Sequence, residues 1–186
     1  SSMRYYQLVE SGGMVRSDDI WYRDVYLPST FEPCHCSPCF GNYPTIDVVL
    51  ERGERLNGPI NGIWRTPILC CKLNIMQWME SKGLRFHAGT ITLGQTKNSQ
   101  YRSIVVDYEC VVNSYSHGVN MKRCKCDRSY PEIANIYKTY LLRENIGSRI
   151  IFTDQYWATL YFREDVIHQA EQLGLILRET AVFSWP

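Results

Sequence analysis

The spacing of apolar and polar positions predicts two strand–helix–strand units. In Thr66–Leu93 a short apolar run through Leu69 and Cys71 reads as a strand. Ile75, Met76 and Met79 then recur at the spacing of one helix face. Gly83 suits a left-handed helix end, and the apolar stretch to Leu93 reads as a second strand. The C-terminal segment Trp157–Ser184 reads the same way, with Val166, Ile167 and Ala170 on the helix face and Gly174 at its end. Overlaid without a gap, Leu69 meets Leu160, Glu80 meets Glu171, Gly83 meets Gly174 and Leu84 meets Leu175. An internal duplication predicts this match, and so does the chance alignment of two units of equal length; the sequence leaves both open.

The same periodicities place other elements. Met3–Glu10 alternates as a strand, and Tyr101–Val112 as a long one. Residues 11–33 carry Gly12, Gly13, Asp18, Asp19, Pro28 and Pro33 and read as loop. The Gly-, Pro- and Asn-rich stretch 51–67 reads as an irregular connection, and 113–121 as turn. Ile133, Ile136, Tyr137 and Tyr140 predict a helix that ends near Gly147. The expected fold is α/β (α+β): two β-α-β units packed on a mixed sheet, with an inserted zinc-ribbon-like cysteine element. One domain over 3–186 is expected, with sub-units at 3–50, 64–94, 101–130 and 149–184.

Composition narrows the function classes. Of the 186 residues 45% are hydrophobic and 21% charged, enough for a sizeable core. The net charge of +1 argues against a whole-molecule grip on nucleic acid or membrane. No apolar run approaches the roughly 18–20 residues of a membrane span. Met3 is expected to be the natural first residue. No basic-then-apolar signal pattern follows it, so a cytoplasmic location is expected.

The chain has eight cysteines. In a reducing compartment these are more often ligands or buried thiols than disulfides. Cys70, Cys71 and Cys110 lie in apolar runs and are expected to be buried small hydrophobes. Cys34, Cys36 and Cys39 form one loop cluster, Cys124 and Cys126 another. Cys36-Ser37-Pro38-Cys39 has metal-knuckle spacing, in which a turn presents two thiolates to one ion. Cys124-Lys125-Cys126 is one residue shorter, yet alternate residues of an extended segment face one way. Brought together, Cys36, Cys39, Cys124 and Cys126 make a closed four-thiolate site for structural Zn²⁺. Its net charge of about −2 is offset by Lys122, Arg123, Lys125 and Arg128. Cys34 is a spare that can replace Cys126, and His35 is a fallback ligand. A redox role for Cys36 and Cys39 would need a helix opening at the pair, and Gly41, Asn42 and Pro44 follow instead. Free or locally oxidised thiols are the other reading.

No constellation points to catalysis. His35, His87, His117 and His168 have no serine or carboxylate at a triad spacing. No phosphate loop or His-Glu-x-x-His motif is present. The 13 tyrosines and five tryptophans are residues favoured as interface anchors, which fits a protein-binding role. The basic segment Lys122–Arg128, with Tyr130 beside it, supports an alternative: a zinc-ribbon nucleic-acid-binding protein.

The order of these features resembles the bacterial double-CXXCG motif family of myxobacterial type. "MRYYQL" is similar to the family's opening, and "CSPCFGNYPTIDV" to its first cysteine motif. "KRCKCDR" stands where the second motif belongs. "TDQYWATLYFREDVIHQAEQLGLILRETAVF" is similar to a C-terminal pattern shared by related immunity families. The chain departs from the motif where Phe40 separates Cys39 from Gly41, Arg123 precedes Cys124, and Asp127 replaces a glycine. The resemblance implies an immunity protein, not an enzyme, whose partner is a cognate toxin bound stoichiometrically in competition between bacteria.

Overall fold

The computed structural model describes residues 2–10, 12–17, 47–64, 66–112, 114–116, 121–123, 129–131, 139–154 and 159–184. Through its first half the chain forms β1 (Tyr5–Glu10), β2 (Gly13–Val15), β3 (Val48–Leu50), β4 (Ile60–Ile63) and β5 (Leu69–Lys72). Then come α1 (Leu73–Ser81), β6 (Phe86–Gly89), β7 (Ile91–Leu93), β8 (Thr96–Lys97) and β9 (Tyr101–Val106). A 3-10 turn at Tyr108–Cys110 leads to β10 (Val111–Val112), β11 (Ser114–Ser116), β12 (Met121–Arg123), β13 (Ser129–Pro131) and β14 (Thr139–Leu142). The remainder is α2 (Arg143–Ile146), β15 (Ile151–Asp154), β16 (Leu160–Arg163), a 3-10 turn at Glu164–Val166, α3 (Ile167–Gln172), β17 (Ile176–Thr180) and β18 (Val182–Phe183). The class is mixed α and β, as the periodicity predicts, and strands predominate among the described residues.

Two five-stranded sheets carry the two units. Their orders are β2-β4-β5-β9-β6 and β10-β15-β16-β1-β17. β5 and β6 are each antiparallel to β9, and β16 and β17 are each antiparallel to β1. Each expected β-α-β unit is therefore split, its two strands parallel to one another with a third strand between them. Strands two places apart lie about 9.6 Å from each other, and a nine-residue helix such as α1 spans about 13.5 Å. The crossover reaches over one intervening strand.

The units match in register as well as order. β4 pairs with β5 as Ile60↔Cys71, Asn61↔Cys70 and Gly62↔Leu69; β15 pairs with β16 as Ile151↔Phe162, Phe152↔Tyr161 and Thr153↔Leu160. Every partner is displaced by 91 residues, the offset of the sequence overlay. The helix ends repeat it: Leu84 N–H donates to Met79 O and Leu175 N–H to Ala170 O, both at 3.1 Å. Gly83 and Gly174 have φ of 93° and 88°, the region a side chain disfavours.

The apolar faces explain why the units associate. One central core contains Ile60, Leu69, Cys71, Ile75, Met79 and Leu84, and their counterparts Ile151, Leu160, Phe162, Val166, Ala170 and Leu175. The two helices meet there at equivalent positions, where the Trp78 indole N–H donates to Gln169 Oε1 at 3.1 Å. Trp78 also stacks on Phe162 with ring centroids 6.0 Å apart. Each unit keeps an outer core as well. Val15, Leu50, Cys70, Ile91 and Tyr101 lie in one; Val112, Leu141, Tyr161, Val182 and Tyr5 belong to the other. Small sheets ordered β3-β7-β8 and β11-β14-β18 contribute to them.

Several segments differ from their sequence expectation. The stretch 51–67 contains β4, whose Asn61 is fully buried with its amide donating to Asn57 O at 2.9 Å. The polar residue that reads as loop is thus satisfied inside the sheet. β2 lies within the expected loop 11–33, held parallel to β4, and β11 lies within the expected turn 113–121. The strand expected over Tyr101–Val112 breaks after Val106, where Asp107 N–H donates to Arg85 O and Asp107 O accepts from Cys110 N–H. Of the expected helix ending near Gly147, residues 139–142 are strand β14, paired to β11 and β18. Tertiary pairing overrides the helical spacing there, and among the described residues of that stretch only the last turn before Gly147 is helical, as α2. Residues 132–138 of that expectation lie outside the described residues.

Candidate functional site

The predicted ligands Cys36, Cys39, Cys124 and Cys126 lie outside the described residues, as do Cys34, His35 and His117. What the structure places is the frame around them. Before the first cluster, Ser17 pairs with Leu50 and its hydroxyl donates to Val49 O at 3.0 Å. After it, the Asp47 carboxylate accepts from the Thr90 N–H at 2.9 Å and the Thr90 hydroxyl at 2.8 Å. These bonds hold the Asp47 carboxyl below its ordinary range. Both ends of the segment are thereby tied to the small sheet of the first unit.

The second cluster has the corresponding frame. Ser114 pairs with Leu141, the counterpart of Leu50. β12 and β13 form an antiparallel hairpin with Lys122 opposite Tyr130 and Arg123 opposite Ser129. Cys124 and Cys126 fall in the connection 124–128 between these strands. Each cysteine cluster thus occupies the same connection in its own unit. The sequence overlay that begins at Thr66 does not reach these connections. The same offset extends back to Val48 and Thr139, and would have predicted β4 from the apolar run at Ile151 and Phe152.

The other thiols are buried as expected, and Cys110 differs in its local structure. Cys70 and Cys71 are fully buried and Cys110 nearly so, all three free. Burial pushes the Cys70 thiol up to about 12 and Cys71 well above its ordinary value. Cys110 Sγ accepts from the Arg85 N–H at 3.4 Å and lies 3.8 Å from Gly83 O, its acceptor. It therefore sits in a 3-10 turn and not within a strand.

Two histidines are described. His87 on β6 lies 2.7 Å from Asp107, and both side chains are substantially exposed. His168 is exposed on α3 and contacts Gln172 at 3.2 Å. Among the described residues, no group of three or more His, Cys, Asp or Glu is arranged to hold a metal ion. Among the described residues, no helix is long and apolar enough to cross a membrane. No protein-family model and no curated protein matches the chain.

Proposed function

We propose that this chain is an immunity protein of the double-CXXCG type, acting in the bacterial cytoplasm by binding a cognate toxin stoichiometrically and covering a surface the toxin needs. The mechanism involves no turnover. The observation that carries the reading is the order of motifs along the chain: "MRYYQL", "CSPCFGNYPTIDV", "KRCKCDR" and the strand–helix–Leu-Gly-Leu–strand ending. The fold is consistent with it, since these segments map to β1, to the two equivalent connections and to β15–β18. Co-expression with a toxin whose reading frame adjoins that of this chain tests the reading. Growth should be restored and the purified pair should form a 1:1 complex; continued toxicity together with no association would exclude the proposal.

The same reading includes one structural Zn²⁺ held by Cys36, Cys39, Cys124 and Cys126. Support comes from the pairing of one cluster with each unit, and from the basic residues Lys122, Arg123, Lys125 and Arg128 that offset thiolate charge. Metal bound there adds to folding free energy, so chelation should loosen the protein. Metal analysis should give about one zinc per chain, lost on changing Cys36 and Cys39 to serine. Cys34 can take the place of Cys126 in this set. Zinc content of Cys34→Ser against Cys126→Ser decides which of the two completes the site. Binding to random DNA or RNA that falls steeply with salt, and disappears when Lys122, Arg123 and Lys125 are replaced, would favour the nucleic-acid-binding alternative.

A further inference from the structure

β1 stands in the second sheet where β9 stands in the first. Each is the strand between the two parallel strands of a unit. The match extends to residues. Tyr5 is opposite Arg163 in the pairing with β16, and Tyr101 is opposite Lys72 in the pairing with β5. Lys72 and Arg163 are counterparts at the common offset, and both tyrosines are buried at 3% exposure. The Glu164 N–H donates to Arg4 O at 2.9 Å, as the Leu73 N–H donates to Gln100 O at 3.0 Å. On the other flank the registers differ by two residues: Leu8 faces Leu177, just before a register shift at Glu10, whereas Val106 faces Phe86.

The connections are what differ. β9 follows β7 within its own unit after residues 94–100, which include β8. β1 reaches the second unit from the opposite end of the sequence and is joined to β2 by Ser11 and Gly12. Every other described strand of the five-stranded pattern keeps its chain order in both units.

We propose that the chain is a circularly permuted tandem duplication, in which β1 is the displaced final strand of the second unit. A strand bonded along both edges is specified by its registers and side chains, not by which of its ends is tethered. Moving β1 to follow β18 should therefore restore two units of identical chain order without changing the fold.

The test is a circular permutant of the whole chain, opened at Ser11 and joined from Pro186 to Ser1 through one added glycine. Seven residues then separate Ser184 from Tyr5, as seven separate its counterpart Leu93 from Tyr101. A second permutant with the same join is opened between Gly94 and Gln95; it gives the first unit the arrangement the second has natively. Both should unfold cooperatively with Tm lowered by less than about 10 °C. In the first, the amides of Tyr5, Tyr6 and Gln7 should exchange as slowly as in the parent. If the Ser11 permutant does not fold, or folds with these amides unprotected, the proposal is overturned. Folding of the second permutant alone would show that β1 must precede β2. Failure of both would show that the connection lengths are not equivalent.

Discussion

Asp47 shows how one side chain ties the first cysteine segment to the folded frame. Its carboxylate accepts two hydrogen bonds from Thr90, so its folded pKa lies below the ordinary 3.8. A depressed carboxylate contributes stability above its unfolded pKa and loses it as pH falls through the lower folded value. Asp47→Ala should lower stability by about 1 kcal/mol at pH 7. The deficit relative to the parent should shrink as pH falls below 3.8, read from urea unfolding at pH 7 and in acid. The buried thiols yield a second test at this scale. Cys70 and Cys71 have no access to solvent and thiols displaced upward by burial, so neither should react with iodoacetamide in the native protein. Both should label after denaturation, which peptide mass spectrometry distinguishes.

At the scale of elements, the helices were legible because they obey a local rule. Of the positions periodicity selects, Ile75 and Met79 on α1, Val166 just before α3 and Ala170 within it are buried, and Met76 and Ile167 are half-buried against the same core. Both helix ends rest on a glycine with positive φ and open space around the missing side chain, apart from an ordinary contact of Gly174 with Pro59. Gly83→Ala and Gly174→Ala should therefore each cost about 1–2 kcal/mol through backbone strain. Denaturant midpoints should fall by similar amounts in the two variants, with the denaturant slope unchanged. The short strands were less legible. β2 and β4 are rich in Gly and Asn, and their strand state is imposed by neighbours far along the chain: β2 through its pairing with β4, and β4 through β5. Thr139–Leu142 carries a helical spacing but is pulled into a sheet by Ser114–Ser116 on one side and β18 on the other.

At the scale of the molecule, the central core joins equivalent faces of the two units, so neither buries its helix side alone. Phe162 is fully buried there, stacked on Trp78 of the other unit. Phe162→Ala should cost about 3–5 kcal/mol, and the loss should fall on both units together. Far-UV and near-UV circular dichroism should report one coincident thermal transition in the parent and in the variant. Separate transitions for the two signals would mean that the units unfold independently.

The sequence by itself determined the mixed α and β class, the two helices with their glycine stops, the buried state of Cys70, Cys71 and Cys110, and the offset that relates the two halves. These follow from local periodicity and from the low cost of burying small apolar groups. Only the tertiary structure decided that each unit is split by a third strand, that β1 fills that place in the second, and that the two cysteine clusters hang from equivalent connections. Those features depend on strand pairing between residues distant in sequence. A strand's own alternation, as in β1 and β9, marks the strand but not its partner, because the pairing energy exists only when both strands are in place.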